Sequence, residues 1–231
     1  TGIAVRAIAH FIKDKVTDPA VVVIDTFGRY VISLLSGHLG GANELTELVA
    51  KIINGQAIIT TATDNIGVLA PDVLAKKNGL IIDSMKHAKQ IAAMLVDGKK
   101  VAFFDEENTI EVPPGYIKNL KDAAGGVYIT NKANVHEELK DKLNLRLIRK
   151  NIVLGIGCKK DYLPEKMLLQ VLEKLVEYNI DRRAIKIVAT VDLKKDEKAI
   201  IELNDALQSE LRILKREEIK KVQHKYKGSD F

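Results

Sequence analysis

The chain has 231 residues, enough for one large domain or two to three small ones, and its 46% hydrophobic and 29% charged residues are a globular balance. No apolar run approaches the roughly 20 residues a membrane-crossing helix needs, and a single cysteine, Cys158, excludes an internal disulfide and fits a reducing compartment. The net charge of +5 is uneven: residues 150–231 hold 18 Lys+Arg against 14 Asp+Glu, while the absence of Trp and 5% aromatics argue against a base-stacking nucleic-acid surface.

The pattern predicts a fold of class α/β, with two parallel-sheet α/β domains joined by a small α/β middle domain. The expected boundaries are 1–82, 83–149 and 150–231. Ile3 to Lys15 carries apolar residues at helical spacing, and Asp18-Pro19 breaks it. Ala20 to Ile24 is a β-branched run that reads as a buried parallel strand. Phe27-Gly28-Arg29 is a turn and Tyr30 to Leu35 a second strand. The segment Ser36-Gly37-His38-Leu39-Gly40-Gly41-Ala42-Asn43 follows, and Asn43 is the expected N-cap of a helix over 44–53 that Asn54-Gly55 ends. Ala57 to Thr60 is a third strand, Asp64 to Pro71 a loop, and Pro71 starts a short helix to Lys77.

In the middle segment Ser84 caps a helix to Val96, and strands are expected over 100–104, 109–112 and 127–130. The last segment reads βαβαβ. Its strands are expected over 152–156 and 184–191 and near 212–214, with helices over 165–178 and 196–207. No internal repeat or low-complexity tract is visible. The single cysteine makes a cytoplasmic location the expected one.

His38 stands out chemically. Glycines allow close backbone approach to a ligand, and a helix N-terminus with unpaired N–H groups favours an anion. A histidine there can act as general base or acid, or it can simply hydrogen-bond the loop in place. Thr60-Thr61-Ala62-Thr63-Asp64 follows a strand at the edge where open α/β sheets bind ligands. Its hydroxyls can donate to substrate carboxylates, and Asp64 can orient His38 or hold a water; alternatively the stretch is a turn capping the next helix. His38 and the threonine turn are expected to line one solvent-reachable hollow. Arg6, in an otherwise apolar helix, can bind a carboxylate. Gly155-Ile156-Gly157-Cys158-Lys159-Lys160 is half of a phosphate-binding turn, without the rest of a dinucleotide fingerprint or P-loop. Thr190 to Glu197 either faces the same edge or caps a helix. The five histidines are scattered, with no i, i+4 pair to hold a metal.

Several stretches together resemble a known family. They are Thr1-Gly2-Ile3-Ala4-Val5-Arg6, Asp18-Pro19-Ala20-Val21, Leu34 to Asn43, Thr60 to Asp64, and, less specifically, Gly155 to Lys160 and Asp192 to Glu197. They resemble the cobalamin biosynthesis protein G family, the cobalt-precorrin-5A hydrolases. The resemblance implies a hydrolase of anaerobic cobalamin (vitamin B12) synthesis. Such an enzyme opens the δ-lactone of a cobalt-bound tetrapyrrole and releases two carbons as acetaldehyde, giving cobalt-precorrin-5B. It also implies a C-terminal domain truncated at Gly228-Ser229-Asp230-Phe231. No cofactor and no protein metal site are required, because cobalt arrives inside the substrate.

On this reading His38 and Asp64 are catalytic. Arg6, Ser36, Gly37, Gly40, Gly41 and Asn43 bind substrate, as do Thr60, Thr61 and Thr63. Lys159, Lys194 and Glu197 add a second binding region. Amides of Gly40, Gly41 and Asn43 are expected to stabilise the oxyanion or anchor a carboxylate. The partner is the cobalt-bound tetrapyrrole, without nucleic acid or membrane, and a homodimer is the candidate assembly. The alternatives are a non-catalytic tetrapyrrole-binding or scaffold protein of the same pathway and a nucleotide-binding regulator.

Overall fold

The computed structural model describes residues 1–14, 17–60, 67–134, 142–222 and 224. The chain divides into two compact units, Thr1–Tyr128 with Leu139–Leu145 and Ile129–Glu138 with Arg146–Phe231.

The first unit opens with α1 (Gly2–Ile8), shorter than its apolar spacing suggested and with none of its residues buried. β1 (Val21–Ile24) and β2 (Tyr30–Leu35) pair antiparallel, so the first strand is not the parallel one expected. The turn between them decides this. Asp25 accepts hydrogen bonds from the N–H groups of Tyr30 (2.8 Å) and Phe27 (3.4 Å), and Gly28 takes φ 68°. A turn this tight can only join antiparallel neighbours. The Asp25 carboxyl lies below its usual range because Tyr30 N–H, above all, bonds the charged form.

β2 feeds the glycine loop, then α2 (Ala42–Ile53), then β3 (Gln56–Ile58), which pairs parallel with β2. This is the expected βαβ crossover. Ala42, Thr46 and Ala50 form the buried stripe of α2, one residue per turn, and their small size lets the helix backbone approach the sheet. α2 ends at Asn54 in the left-handed region, φ 54°, with Gly55 N–H donating to the Ala50 carbonyl at 2.8 Å.

Beyond it come α3 (Pro71–Lys77), β4 (Leu80–Ile82) and α4 (Met85–Val96). Ser84 caps α4 as expected, its Oγ accepting from His87 N–H at 3.2 Å. A five-stranded sheet, order β4-β8-β7-β5-β6, joins β4 to β5 (Val101–Asp105), β6 (Tyr116–Ile117), β7 (Gly125–Thr130) and β8 (Leu143–Arg149). All of β7 is buried, as an inner strand requires. β8 was not foreseen, although Leu143, Leu145 and Leu147 alternate with Asn144 and Arg146 at strand period. The strand expected over 109–112 does not form, because the N–H groups of Thr109 and Ile110 donate to the Asp105 carboxylate instead of a neighbouring strand.

The second unit is the expected βαβαβ. Its elements are β9 (Ile152–Gly155), α5 (Pro164–Glu177), β10 (Ile185–Val191), α6 (Lys198–Leu207) and β11 (Glu210–Leu214), followed by α7 (Arg216–Val222). The strands are all parallel, in the order β11-β10-β9. Met167 and Leu175 of α5 and Ala199, Ile200 and Leu203 of α6 pack with Ile185 and Val188 of β10. Among the described residues no helix is long and apolar enough to cross a membrane.

Asp181 ties this unit together at the start of β10. It accepts from Arg183 N–H, Nε and Nη2 at 2.9, 2.9 and 2.8 Å, and lies 3.5 Å from Arg146 Nη1. Arg146 also donates to the carbonyls of Lys132 and Ala133. Burial by itself pushes the Asp181 carboxyl up, but the Arg183 bonds and the two guanidinium charges hold it below its ordinary 3.8. The ionised form is thus the one the fold favours. Its contribution is complete above pH 3.8 and disappears as pH falls through the lower folded value. Asp181→Asn is therefore expected to lower the unfolding free energy at pH 7 by about 1.5–3 kcal/mol, the scale of a charged hydrogen bond. Urea unfolding should show that gap at pH 7 and a smaller one at pH 3.

Candidate active site

The loop between β2 and α2 is closed by its own backbone. Gly41 N–H donates to the His38 carbonyl (3.1 Å), Ala42 N–H to Ser36 (3.1 Å) and Asn43 N–H to Gly37 (3.0 Å). Ser36 and Gly41 take positive φ, 58° and 85°, to make the reversal. A Cβ at Gly40 would stand 2.4 Å from Ser36 Cβ and 2.8 Å from its carbonyl oxygen. One at Gly37 would stand 2.7 Å from Asn43 Oδ1. These two glycines are required by the loop's own folding.

This corrects two expectations. Gly41, not Asn43, occupies the N-cap position of α2. Asn43 lies in the first turn, where its Oδ1 accepts from Ser33 Oγ at 2.6 Å. The amides of Gly41 and Asn43, expected to meet an anion, are bonded within the loop; of the three proposed, only that of Gly40 makes no such bond among the described residues. Ser36 is buried, and its Oγ has no hydrogen-bond partner among the described residues.

His38 is buried, and a carboxylate faces it. Its Nδ1 lies 3.5 Å from Asp72 Oδ2, with both side chains only 6% exposed. Asp72 sits in the first turn of α3, where the helix dipole favours its negative charge. One turn on, Lys76 Nζ donates to the His38 carbonyl at 3.2 Å and lies 3.8 Å from Glu44 Oε2 of α2. Tyr116 completes the surroundings. Burial, then the Asp72 charge, raises its phenol well above the usual range, so it stays protonated and donates to the Leu69 carbonyl at 2.9 Å. The ring thus has a carboxylate against it and is far less open to solvent than a shared hollow would make it.

Asp64, Thr61 and Thr63 lie outside the described residues. Thr60 is exposed just beyond β3, which ends at Ile58. Arg6 is exposed on α1. Sequence reasoning missed Asp72. An acidic residue directly after a helix-starting proline ordinarily reads as a favourable dipole charge, and only its meeting with residue 38 shows more.

In the second unit the two expected stretches do converge. Lys194 Nζ bonds Glu197 Oε1 at 2.9 Å, and Glu197 Oε2 accepts from Asp161 N–H at 3.2 Å. The Lys194 bond, first, draws the Glu197 carboxyl below its usual value, and Glu197 raises Lys194. Neither therefore stands as an unshared charge for a ligand. Glu197 occupies the N-cap position of α6 without capping it through its side chain. Lys159 is exposed on the adjoining turn. Burial, then the Glu197 charge, pushes the Cys158 thiol up, which disfavours its thiolate. Beside this turn lies a mainly apolar cleft of about 500 Å³, lined by Ile156, Gly157, Cys158, Tyr162, Gln170 and Lys174 among others. A Cβ at Gly155 or Gly157 would meet no atom within 4 Å. Among the described residues no three His, Cys, Asp or Glu converge as metal ligands.

An imidazole beside a carboxylate is a pairing able to do acid–base chemistry. Comparison with known proteins narrows the class. Residues 1–64 match the model for the cobalamin synthesis G N-terminal region, 69–147 the cobalamin biosynthesis central region and 152–231 the cobalamin synthesis G C-terminus. The chain belongs to the cobalamin synthesis protein G family.

A cobalt-precorrin-5A hydrolase of Salmonella typhimurium is 34% identical over 243 residues, covering 100% of this chain and 68% of the relative. One from Priestia megaterium is 33% identical over 217 residues, covering 87% and 58%. A solved structure of a cobalamin biosynthesis protein G homolog from Sulfolobus solfataricus is 26% identical with a TM-score of 0.44, covering 95% of this chain and 64% of that one. The chain thus spans between 58% and 68% of these relatives' lengths.

The two glycine turns should respond oppositely to a methyl group. Gly40→Ala forces Cβ into Ser36 and is expected to cost about 1–3 kcal/mol of stability. Gly157→Ala enters open space and should stay within about 0.5 kcal/mol of the parent. Thermal unfolding of the two variants measures both.

Proposed function

We propose that this chain hydrolyses cobalt-precorrin-5A, opening its δ-lactone, with release of the two-carbon unit as acetaldehyde to leave cobalt-precorrin-5B. The observation that carries this reading is that the match to a relative named for that hydrolase covers 100% of this chain and so includes the loop holding His38 beside a carboxylate. Lactone opening needs water made nucleophilic and an oxyanion stabilised. His38 takes a proton from the water as its oxygen bonds the lactone carbonyl carbon. The tetrahedral oxyanion then collapses, the ring C–O bond breaks, and the departing alkoxide recovers a proton from the imidazolium. Of the three amides expected to serve, that of Gly40 has no backbone bond among the described residues and is the one offered to the oxyanion. The exposed Arg6 and Thr60 are suited to the substrate's carboxylate arms. Cobalt enters and leaves within the substrate.

The low exposure of His38 places one requirement on this chemistry: the water must reach the ring through a narrow opening or by displacement of the loop. His38→Ala is expected to bind the tetrapyrrole normally yet lose about 100-fold or more of kcat, the usual contribution of a general base. Acetaldehyde release, followed anaerobically by coupling to an alcohol dehydrogenase, measures it. Release at the parent rate removes His38 from the mechanism; tight binding without any turnover in the parent protein favours a carrier of the intermediate.

A further inference from the structure

We infer that Asp72 is the positioning residue of the site. It holds the proton of neutral His38 on Nδ1, so that the basic lone pair sits on Nε2. This rests on the reading of His38 as the base, but it concerns the ring itself and can be tested without substrate.

The geometry is specific. Of the two imidazole nitrogens it is Nδ1 that faces Asp72, at 3.5 Å, and both side chains are nearly closed to water. A carboxylate presents only lone pairs. A protonated Nδ1 therefore meets it favourably, while a bare Nδ1 meets it with repulsion, and low exposure strengthens both effects. The neutral ring is driven to the Nδ1–H form. When Nε2 takes a proton, the same carboxylate stabilises the imidazolium, without itself becoming protonated. The distance is longer than a hydrogen bond, as is common in catalytic pairs before substrate closes on them.

Asp72 lies in the first turn of α3, and Tyr116 donates its hydroxyl proton to the Leu69 carbonyl. From the same short helix, Lys76 bonds the His38 carbonyl. One element thus grips His38 by its ring and by its backbone, and Glu44 braces Lys76 from α2. Asp72 need never touch the substrate; its effect passes through His38.

Nitrogen-15 NMR of the histidine-labelled full chain, without substrate, reads the tautomer directly. In the parent protein at neutral to mildly alkaline pH, His38 should show a protonated Nδ1 and an unprotonated Nε2; the opposite assignment overturns the inference, whatever any variant does. Asp72→Asn keeps the shape but offers Nδ1 an amide donor. It should swing the ring to the Nε2–H form and lower kcat by roughly 10²–10⁴-fold at nearly constant KM. An unchanged tautomer in that folded variant overturns the inference. A swung tautomer with parent turnover upholds the positioning and instead removes His38 as the base.

Discussion

Backbone hydrogen bonds within the loop from Ser36 to Asn43 set up the rest of the site. Three consecutive amides, those of Gly41, Ala42 and Asn43, turn back onto the carbonyls of His38, Ser36 and Gly37. The turn is so tight that no Cβ fits at Gly40 without displacing Ser36. This closure starts α2, satisfies amides that a helix N-terminus otherwise leaves open, and fixes where residue 38 leaves the backbone. A looser loop would let the imidazole choose its surroundings. Here it is delivered to Asp72.

α3 supplies the answering charges. Within seven residues it places a carboxylate against the ring and an exposed ammonium against the backbone carbonyl of the same histidine. A buried carboxylate without a partner is costly, and the ring at 3.5 Å gives Asp72 one. Tyr116 belongs to the same balance, because a second anion beside Asp72 would raise that cost, and its phenol is kept neutral. The arrangement is organised before any substrate arrives, which is the condition under which fixed charges and dipoles accelerate a reaction most.

The two glycine-bearing turns serve opposite purposes. In the first unit Gly37 and Gly40 make room for the protein's own atoms. In the second, Gly155 and Gly157 have open space before them, and Gly157 lines the apolar cleft. Lys194 and Glu197, both expected to meet a ligand directly, bond to each other and brace the turn through the Asp161 amide. Ile156, Gly157 and Cys158 of the same turn line the cleft, and Lys159 beside them is exposed, so part of the stretch the sequence marked does remain open to a ligand.

Local rules decided much of this protein in advance. The βαβαβ order of the second unit was readable, Pro71 and Ser84 marked helix starts, Asn54-Gly55 marked a helix end, and the loop around His38 announced itself by composition. Each of these depends on residues within a few positions of one another, so each is legible in one dimension. Other features depend on residues distant in the chain. The sense of β1 depended on how Asp25 closed its turn, and the strand expected over 109–112 lost its amides to Asp105. Most consequential was the partner of His38. Asp64, nearer in sequence and in a suggestive threonine run, was the natural choice; Asp72 was silent until α3 folded against the loop. A contact between positions 38 and 72 is created by packing, and no spacing rule encodes it. The sequence alone determined the class of fold and the glycine loop that carries His38, while tertiary structure decided which charge that histidine meets and which glycines have open space before them.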